Sequence, residues 1–296
     1  MSNPLIPKIE SIVIREITEL AEMRELELVQ KEVWGVADID VLPALALRPQ
    51  VEVGAILLGA FKGHEIVGFV YGYPGLIDGQ TIIHSDMLAV KPEFRRLSLG
   101  YLLKLAQREK ALEQNIDCIT WTFDPLQLRN ANLNFGRLGV TSNSYMVDYY
   151  GQTSSFLHSF GTDRLWVKWL LKSDRVRDRI QQTVRSSDEF LDMPKLISVG
   201  EDEQPLQGEV NQIAEKILME IPGDINRLVS RNDGSAMHWR QVTRDAFLTA
   251  MKAGYSVEDF FIVEKDSRTV GAYLLRKVLT TEAQRHGGST ENSSMS

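Results

Sequence analysis

Met87-Leu-Ala-Val-Lys-Pro-Glu-Phe-Arg-Arg-Leu-Ser-Leu-Gly-Tyr-Leu-Leu-Lys104 is the stretch that decides the fold. Met87 to Val90 is a short continuous apolar run, the pattern of a buried strand, and Leu99, Leu102, Leu103 and Ala106 recur at helical spacing. Between them stand Arg95, Arg96, Ser98 and Gly100. A turn that opens a helix presents N–H groups with no intrahelical acceptor and the positive end of a dipole, and here two guanidinium groups join them. Such a point attracts a phosphate-bearing ligand. By spacing alone, an ordinary strand-to-helix turn with solvated arginines fits equally well.

Outward from this stretch the chain alternates cleanly. Ile12 to Ile17 reads as a first strand, followed by a helix capped by Thr18, with Glu22 in its first turn, running to about Trp34. Leu20, Met23, Leu26, Leu28 and Val33 are its expected buried positions. A short helical stretch is expected over Leu42 to Leu47. Ala55 to Phe61 and Ile66 to Tyr71 flank Lys62-Gly-His-Glu65, a hairpin turned by glycine. Thr81 to Val90 is the next strand, then the basic turn and a helix to about Asn115. Cys118 to Phe123 is a strand ended by Asp124-Pro125. Asn130 to Leu138 reads as a helix stopped by Gly139, and Ser144 to Tyr150 and Leu165 to Leu171 as two closing strands.

Arg95-Arg96-Leu97-Ser98-Leu99-Gly100 resembles the acyl-CoA-binding signature of the GNAT superfamily of N-acyltransferases, Arg/Gln-x-x-Gly-x-Gly/Ala after a strand rich in Leu and Val. Leu133 to Gly139 resembles that fold's aromatic-x-x-x-Gly segment, and the order β-α-α-β-β-β-α-β-α-β-β is the superfamily's own. The resemblance covers residues 12 to 171. It implies an α/β (α+β) chain whose central sheet is mixed and largely antiparallel, flanked by helices. It also implies acetyl-CoA or another acyl-CoA as co-substrate, without a metal. The implied contacts are Leu88, Ala89, Val90, Arg95, Arg96, Leu97, Ser98, Leu99, Gly100 and Tyr101, with Asn130 reaching the coenzyme from the second helix. The implied reaction is N-acylation of a primary amine by direct attack on the thioester. One N–H of a bulged strand, expected over Met87 to Val90, would polarise the carbonyl.

Two residues depart from the pattern. Ser98 replaces the first glycine, adding a Cβ where close backbone approach is wanted, although its hydroxyl can donate to a phosphate oxygen. Phe135 stands four residues before Gly139, where many members carry a tyrosine that protonates the leaving thiolate. Tyr145 is the nearest phenol for that role; its other reading is a core aromatic with a satisfied hydroxyl. Asp124, at the end of its strand, is a candidate proton acceptor, or else a turn aspartate. His84 and Asp86 share a strand face, an arrangement suited to a base or to gripping a cation. The candidate catalytic residues are therefore Tyr145, Asp124 and His84. The departures keep open a catalytically silent acyl-CoA-binding sensory module, and beyond it a purely structural protein.

The 296 residues are 43% hydrophobic and 25% charged, as in a soluble globular protein. A net charge of -7, with no stripe of basic and aromatic residues, argues against nucleic acid as a partner. No apolar run approaches membrane-spanning length, and the first residues lack the plan of a secretory signal, so a cytoplasmic location is expected. The expected partner is a small-molecule or protein amine, with a homodimer left open. Cys118, the only cysteine, reads as a core residue. The five tryptophans read as core, with Trp121 a candidate lining of the acyl channel.

From Ser173 the composition shifts. Residues 173–195 are expected to form an exposed linking helix, 196–278 a small C-terminal α/β unit, and 279–296 a disordered tail, leaving 12–172 as the acyl-CoA-binding domain. Within the unit, helices are expected over Val210 to Met219 and Trp239 to Ala253, with a hairpin across Lys265 to Thr269. Glu220 to Asp224 reads as a turn that ends a helix. So few strands need a neighbouring surface, and docking over the cleft of the first domain is the expected arrangement.

Overall fold

The structure, a computed structural model, describes residues 12–151, 160–181, 193–208, 214–265 and 267–278. The first half builds β1 (Ile12–Glu16), α1 (Leu20–Trp34), α2 (Ala44–Glu52), β2 (Ile56–Lys62), β3 (Glu65–Ile77), β4 (Gln80–Val90), α3 (Leu99–Glu113) and β5 (Cys118–Phe123). It continues with α4 (Leu128–Ala131), a π-helical turn over Asn132–Leu138, β6 (Thr141–Met146) and β7 (Arg164–Leu170). The remainder is α5 (Asp174–Ile180), β8 (Lys195–Val199), β9 (Pro205–Gln207), β10 (Lys216–Pro222), α6 (Ile225–Arg231), α7 (Ser235–Lys252), β11 (Tyr255–Lys265) and β12 (Arg268–Lys277).

The twelve strands among the described residues lie in one sheet, ordered β1-β2-β3-β4-β5-β7-β6-β11-β12-β10-β8-β9. Only the β4–β5 and β8–β10 neighbours are parallel, so the sheet is mixed and largely antiparallel, as expected. Hairpins account for this: β2 and β3 meet across Gly63, whose φ of 62° a side-chain-bearing residue adopts only under strain. The parallel β4–β5 step is the one that needs a helical crossover, and α3 supplies it.

Several boundaries differ from the expectation for definable reasons. The N-cap of α1 is Glu19, not Thr18, and makes no side-chain capping bond. Its buried stripe takes Met23, Leu26, Val29 and Val33, while Leu28 faces solvent. The short second helix begins at Ala44 and runs on through Pro49 to Glu52. The first closing strand ends at Met146, and Val147 to Tyr150 form a turn. Residues Lys216–Pro222, expected to end a helix, form a strand instead: Ile217 through Pro222 are all buried between β12 and β8, a position no one-faced helix fills. Asp224 starts a helix where a stop was expected. Its carboxylate accepts from the N–H groups of Asn226 and Arg227 at 3.0 and 3.2 Å, capping α6. The expected tail, residues 279–296, lies outside the described residues.

The C-terminal unit continues the sheet edge to edge, through Val257 opposite Ser142 on β6 and β11. One hydrophobic cluster runs across the junction, from Ile83, Phe123 and Phe135 through Tyr145 to Phe247, Phe260 and Tyr273. The unit thus extends the edge of the first sheet. Among the described residues no helix is long and apolar enough to cross a membrane.

Candidate active site

β4 and β5 pair only at Ile83–Ile119 and His84–Thr120, and from there they part. At the same level β4 is bulged. Tyr71 pairs with Met87 but Tyr73 with His84, so Ser85 and Asp86 together oppose the single residue Gly72. The irregularity therefore lies one to two residues before the Met87 to Val90 segment expected to carry it. Gly72 is required there: a Cβ would meet the His84 carbonyl oxygen at 2.8 Å and the Gln107 side chain at 2.9 Å.

On the α3 face, the basic turn leads into the opening. Ser98 sits in the left-handed region, with φ 57° and ψ 21°, and is the N-cap of α3. Tyr101 and Leu102 donate to the Ser98 carbonyl at 3.0 and 3.1 Å, and the N–H groups of Ser98, Leu99 and Gly100 open α3, where no acceptor within that helix can reach them. Arg96 is exposed, and Arg95 donates through Nε to the Val90 carbonyl at 3.1 Å, tying the turn to the end of β4. A third cation, not anticipated from sequence, comes from the π-helical turn. The Arg137 guanidinium lies 4.0 Å over the buried Tyr101 ring and reaches Ser98 Oγ at 3.4 Å. Three amides at a helix start, flanked by guanidinium groups, match a diphosphate in charge and hydrogen bonding, so the residues fit the coenzyme. Leu88, Ala89 and Val90 continue along β4 beside them, and Asn130 is exposed on α4. Leu97 is half-buried and Leu99 buried, so these two contribute backbone and packing.

The left-handed Ser98 has a testable consequence. Glycine adopts this conformation without the Cβ clash, so Ser98→Gly is expected to stabilise the protein by about 0.5–1 kcal/mol after its added unfolded-state entropy is subtracted. The readout is a higher urea midpoint at unchanged slope.

On the opposite face, an aromatic and acidic recess surrounds the parting. His84 stacks on Trp166 at 4.9 Å, lies 5.6 Å from Tyr73, and holds Thr120 Oγ1 at 3.0 Å through Nδ1. Tyr149 stands 6.5 Å from Trp166 and 4.8 Å from Tyr150, whose hydroxyl meets Thr122 Oγ1 at 3.3 Å. Burial, and then the Lys104 charge, push the His84 imidazole down to about 4, so it is neutral near pH 7. Asp86 is solvent-accessible, yet desolvation by the walls of the recess raises its carboxyl above the usual range. Its charge in turn helps to raise the Tyr71 and Tyr73 phenols, after burial. His84, through its ring contact with Tyr73, and Asp86, through its charge on the Tyr73 phenol, thus border one recess despite the bulge between them.

Asp124 and Tyr145 lie elsewhere. Both Asp124 oxygens accept from the buried Arg240 of α7, at 2.9 and 2.7 Å, and Oδ1 also accepts from the Leu126 N–H. Tyr145 donates to Asp163 at 2.7 Å and stacks on Phe247. Burial and the Asp163 charge raise its phenol, which makes it a poorer acid. Asp163 is also bidentate to Arg244. Desolvation pushes its carboxyl up, but Arg244, the Asp148 N–H and Tyr145 outweigh this and hold it below the usual range. The hydrogen-bonding capacity of Asp124 and Tyr145 is committed to the junction between the halves, as their structural readings had it. Phe135 is fully buried between Phe123 and Tyr273. Trp121 is buried beneath the Lys104 ammonium. Cys118 is half-buried, and burial raises its thiol.

No protein-family model matches the chain, and no curated protein matches it. The first half is similar to acetyltransferases of solved structure. Aminoglycoside 6'-acetyltransferase type Ii is 15% identical over 54% of this chain and 98% of its own, with a TM-score of 0.44. The ribosomal-protein-S18-alanine N-acetyltransferase from Escherichia coli is 11% identical over 55% and 95%, with the same TM-score of 0.44. A chain of the NatC complex bound to Gag peptide and CoA is 14% identical over 54% and 98%, with a TM-score of 0.42.

Proposed function

We propose that the protein transfers an acetyl or other acyl group from coenzyme A to a primary amine. The observation that carries this reading is the helix-opening amides of Ser98, Leu99 and Gly100, beside Arg96 and Arg137, at the mouth of the parted strands. Acyl-CoA would supply an activated thioester. The basic turn would bind its diphosphate, and the bulge at Ser85–Asp86 would offer an N–H to the carbonyl oxygen as negative charge develops there. Across the sheet, Asp86 would take the proton from the acceptor's ammonium, so that the free nitrogen can form its bond to the carbonyl carbon while the carbon–sulfur bond breaks. The rings of Tyr73, Tyr149 and Trp166 would hold the acceptor's body. With Phe135 unable to donate, the second proton, released by the nitrogen as the amide forms, would pass through water to the departing thiolate.

Phe135 also favours a second reading, a module of this fold that binds acyl-CoA without turnover. Titrating acetyl-CoA in a thermal-shift assay, then following thiol release with a panel of amines, separates the two. Stabilisation with release supports the enzyme, stabilisation alone supports the silent module, and an unchanged melting temperature overturns both. Arg96→Glu combined with Gly100→Val is expected to abolish the stabilisation. A Cβ at Gly100 meets only Leu88 at 3.7 Å and Leu133 at 4.0 Å, so the unliganded variant should still fold.

A further inference from the structure

Beneath the bulge lies a buried lysine that the mechanism above does not use. Lys104, on α3, is 2% exposed, no carboxylate is among its partners, and burial holds its amine well below the usual lysine range. Its nitrogen has three neighbours. Nζ donates to Ser85 Oγ at 2.8 Å and to Gln107 Oε1 at 3.1 Å, and it stands 3.6 Å from the centre of the Trp121 ring. Ser85 Oγ donates in turn to Gln107 Oε1 at 2.9 Å.

The location of these partners carries the inference. Ser85 is one of the two bulged residues of β4, while Trp121 follows Thr120, the last residue of β5 still paired with β4. One side chain therefore bridges the two strands just where they separate. Gln107 completes the floor of the cluster, and its Nε2, buried without a hydrogen-bond partner, is one of the atoms a Cβ at Gly72 would strike. The bulge is thus held from the β3 side by the missing Cβ of Gly72, and from the α3 side by Lys104. A buried amine without a counter-ion is costly whether it is kept charged or neutralised, and an apolar side chain of similar length would fill the same space without that cost. Stability is therefore a poor reason for a lysine at this point.

We propose that Lys104 is a positioning residue for the acyl transfer, clamping the β4 bulge to β5 and so fixing the parting in which the thioester would lie. This rests on the acyltransferase reading, and the clamp acts through Ser85 and Trp121 without touching substrate. Replacement by methionine leaves the Ser85–Gln107 hydrogen bond in place and removes only the tie between the strands. A reacting centre displaced by a fraction of an ångström loses rate steeply while binding is little changed.

The test uses full-length protein. Acetyl-CoA binding and amine-dependent thiol release are measured for the wild type first, then for Lys104→Met, Ser85→Ala and the double variant. Lys104→Met is expected to lower kcat about ten- to a hundredfold, with KM for the amine and affinity for acetyl-CoA nearly unchanged and a melting temperature no lower than wild type. Ser85→Ala, the smaller change should Lys104→Met fold badly, is expected to lower kcat likewise, and the double variant to fall little further. A Lys104→Met protein that keeps wild-type kcat overturns the proposal, as does a loss of activity that only follows a lost melting temperature. A wild type that binds no acetyl-CoA overturns the acyltransferase reading itself, and the role of Lys104 with it.

Discussion

Replacing Arg240 by methionine is expected to cost about 3–5 kcal/mol of folding free energy, because it strands a carboxylate inside the protein. Arg240 is 1% exposed, is bidentate to Asp124, and lies 4.6 Å over the Phe160 ring. Methionine preserves much of the volume, so the loss measures the uncompensated Asp124 charge more than a cavity. The paired variant Arg240→Met with Asp124→Asn removes that charge, while the asparagine Oδ1 can still accept from the Leu126 N–H. It should recover at least half of the loss, an interaction that a double-mutant cycle in urea reads directly. Acidification gives an independent check. Protonation neutralises the stranded carboxylate, so the gap between Arg240→Met and wild type should narrow as pH falls. The wild type moves the other way. With its carboxyl held below the usual range, Asp163 contributes stability above the ordinary aspartate range, and this is lost as pH falls through the depressed value. Arg240 also holds the Asp163 carboxyl down, but less than Arg244, the Asp148 N–H or Tyr145 does, so its loss adds only a small narrowing of the same sign to the gap. A gap that is constant with pH, or a paired variant as unstable as the single one, would show that Asp124 does not need this partner.

The same contacts explain how far the sequence could be read. The first half was legible because its signals are local: apolar runs of strand length, a glycine at each tight turn, and a helix stripe after the basic turn. The turn proposed to hold the coenzyme was legible for the same reason, since Ser98 to Gly100 are consecutive. The catalytic candidates were less so. Asp124 and Tyr145 look available in sequence, and only the fold brings Arg240, 116 positions away, onto Asp124. Arg137 and Lys104 went unnoticed because a lone basic residue in a helix ordinarily reads as solvated, and nothing local distinguishes a lysine that faces Trp121. In the second half, Lys216–Pro222 carries the apolar content of either a buried helix or a central strand. Its pairing with β12 decides the matter, and β12 lies more than fifty residues downstream.

The largest effect on activity is expected from Asp86→Asn, a lowering of kcat/KM by about 10²–10⁴-fold, the range over which a positioned proton acceptor contributes. The change is nearly isosteric, and Asp86 is solvent-accessible with a carboxyl raised by desolvation. Above that raised value the carboxyl is charged, and desolvation makes that charge a cost to the folded state, so the asparagine variant should melt no lower than wild type at neutral pH, with acetyl-CoA binding intact. Lost activity would then report lost chemistry. The pH profile supplies the sign. In the wild type, kcat/KM should rise with pH through a carboxyl value above the ordinary aspartate range; in Asp86→Asn that limb should be gone. Acceptors already neutral at the working pH have no proton to surrender before attack, so the deficit should shrink with weakly basic amines. His84→Ala offers the contrast. An imidazole depressed to about 4 is a weak proton acceptor at neutral pH, so its removal should cost less than removal of the carboxylate, chiefly through lost stacking on Trp166. If the order is reversed, with His84→Ala crippled and Asp86→Asn active, the histidine is the base and Asp86 only a rim charge of the recess.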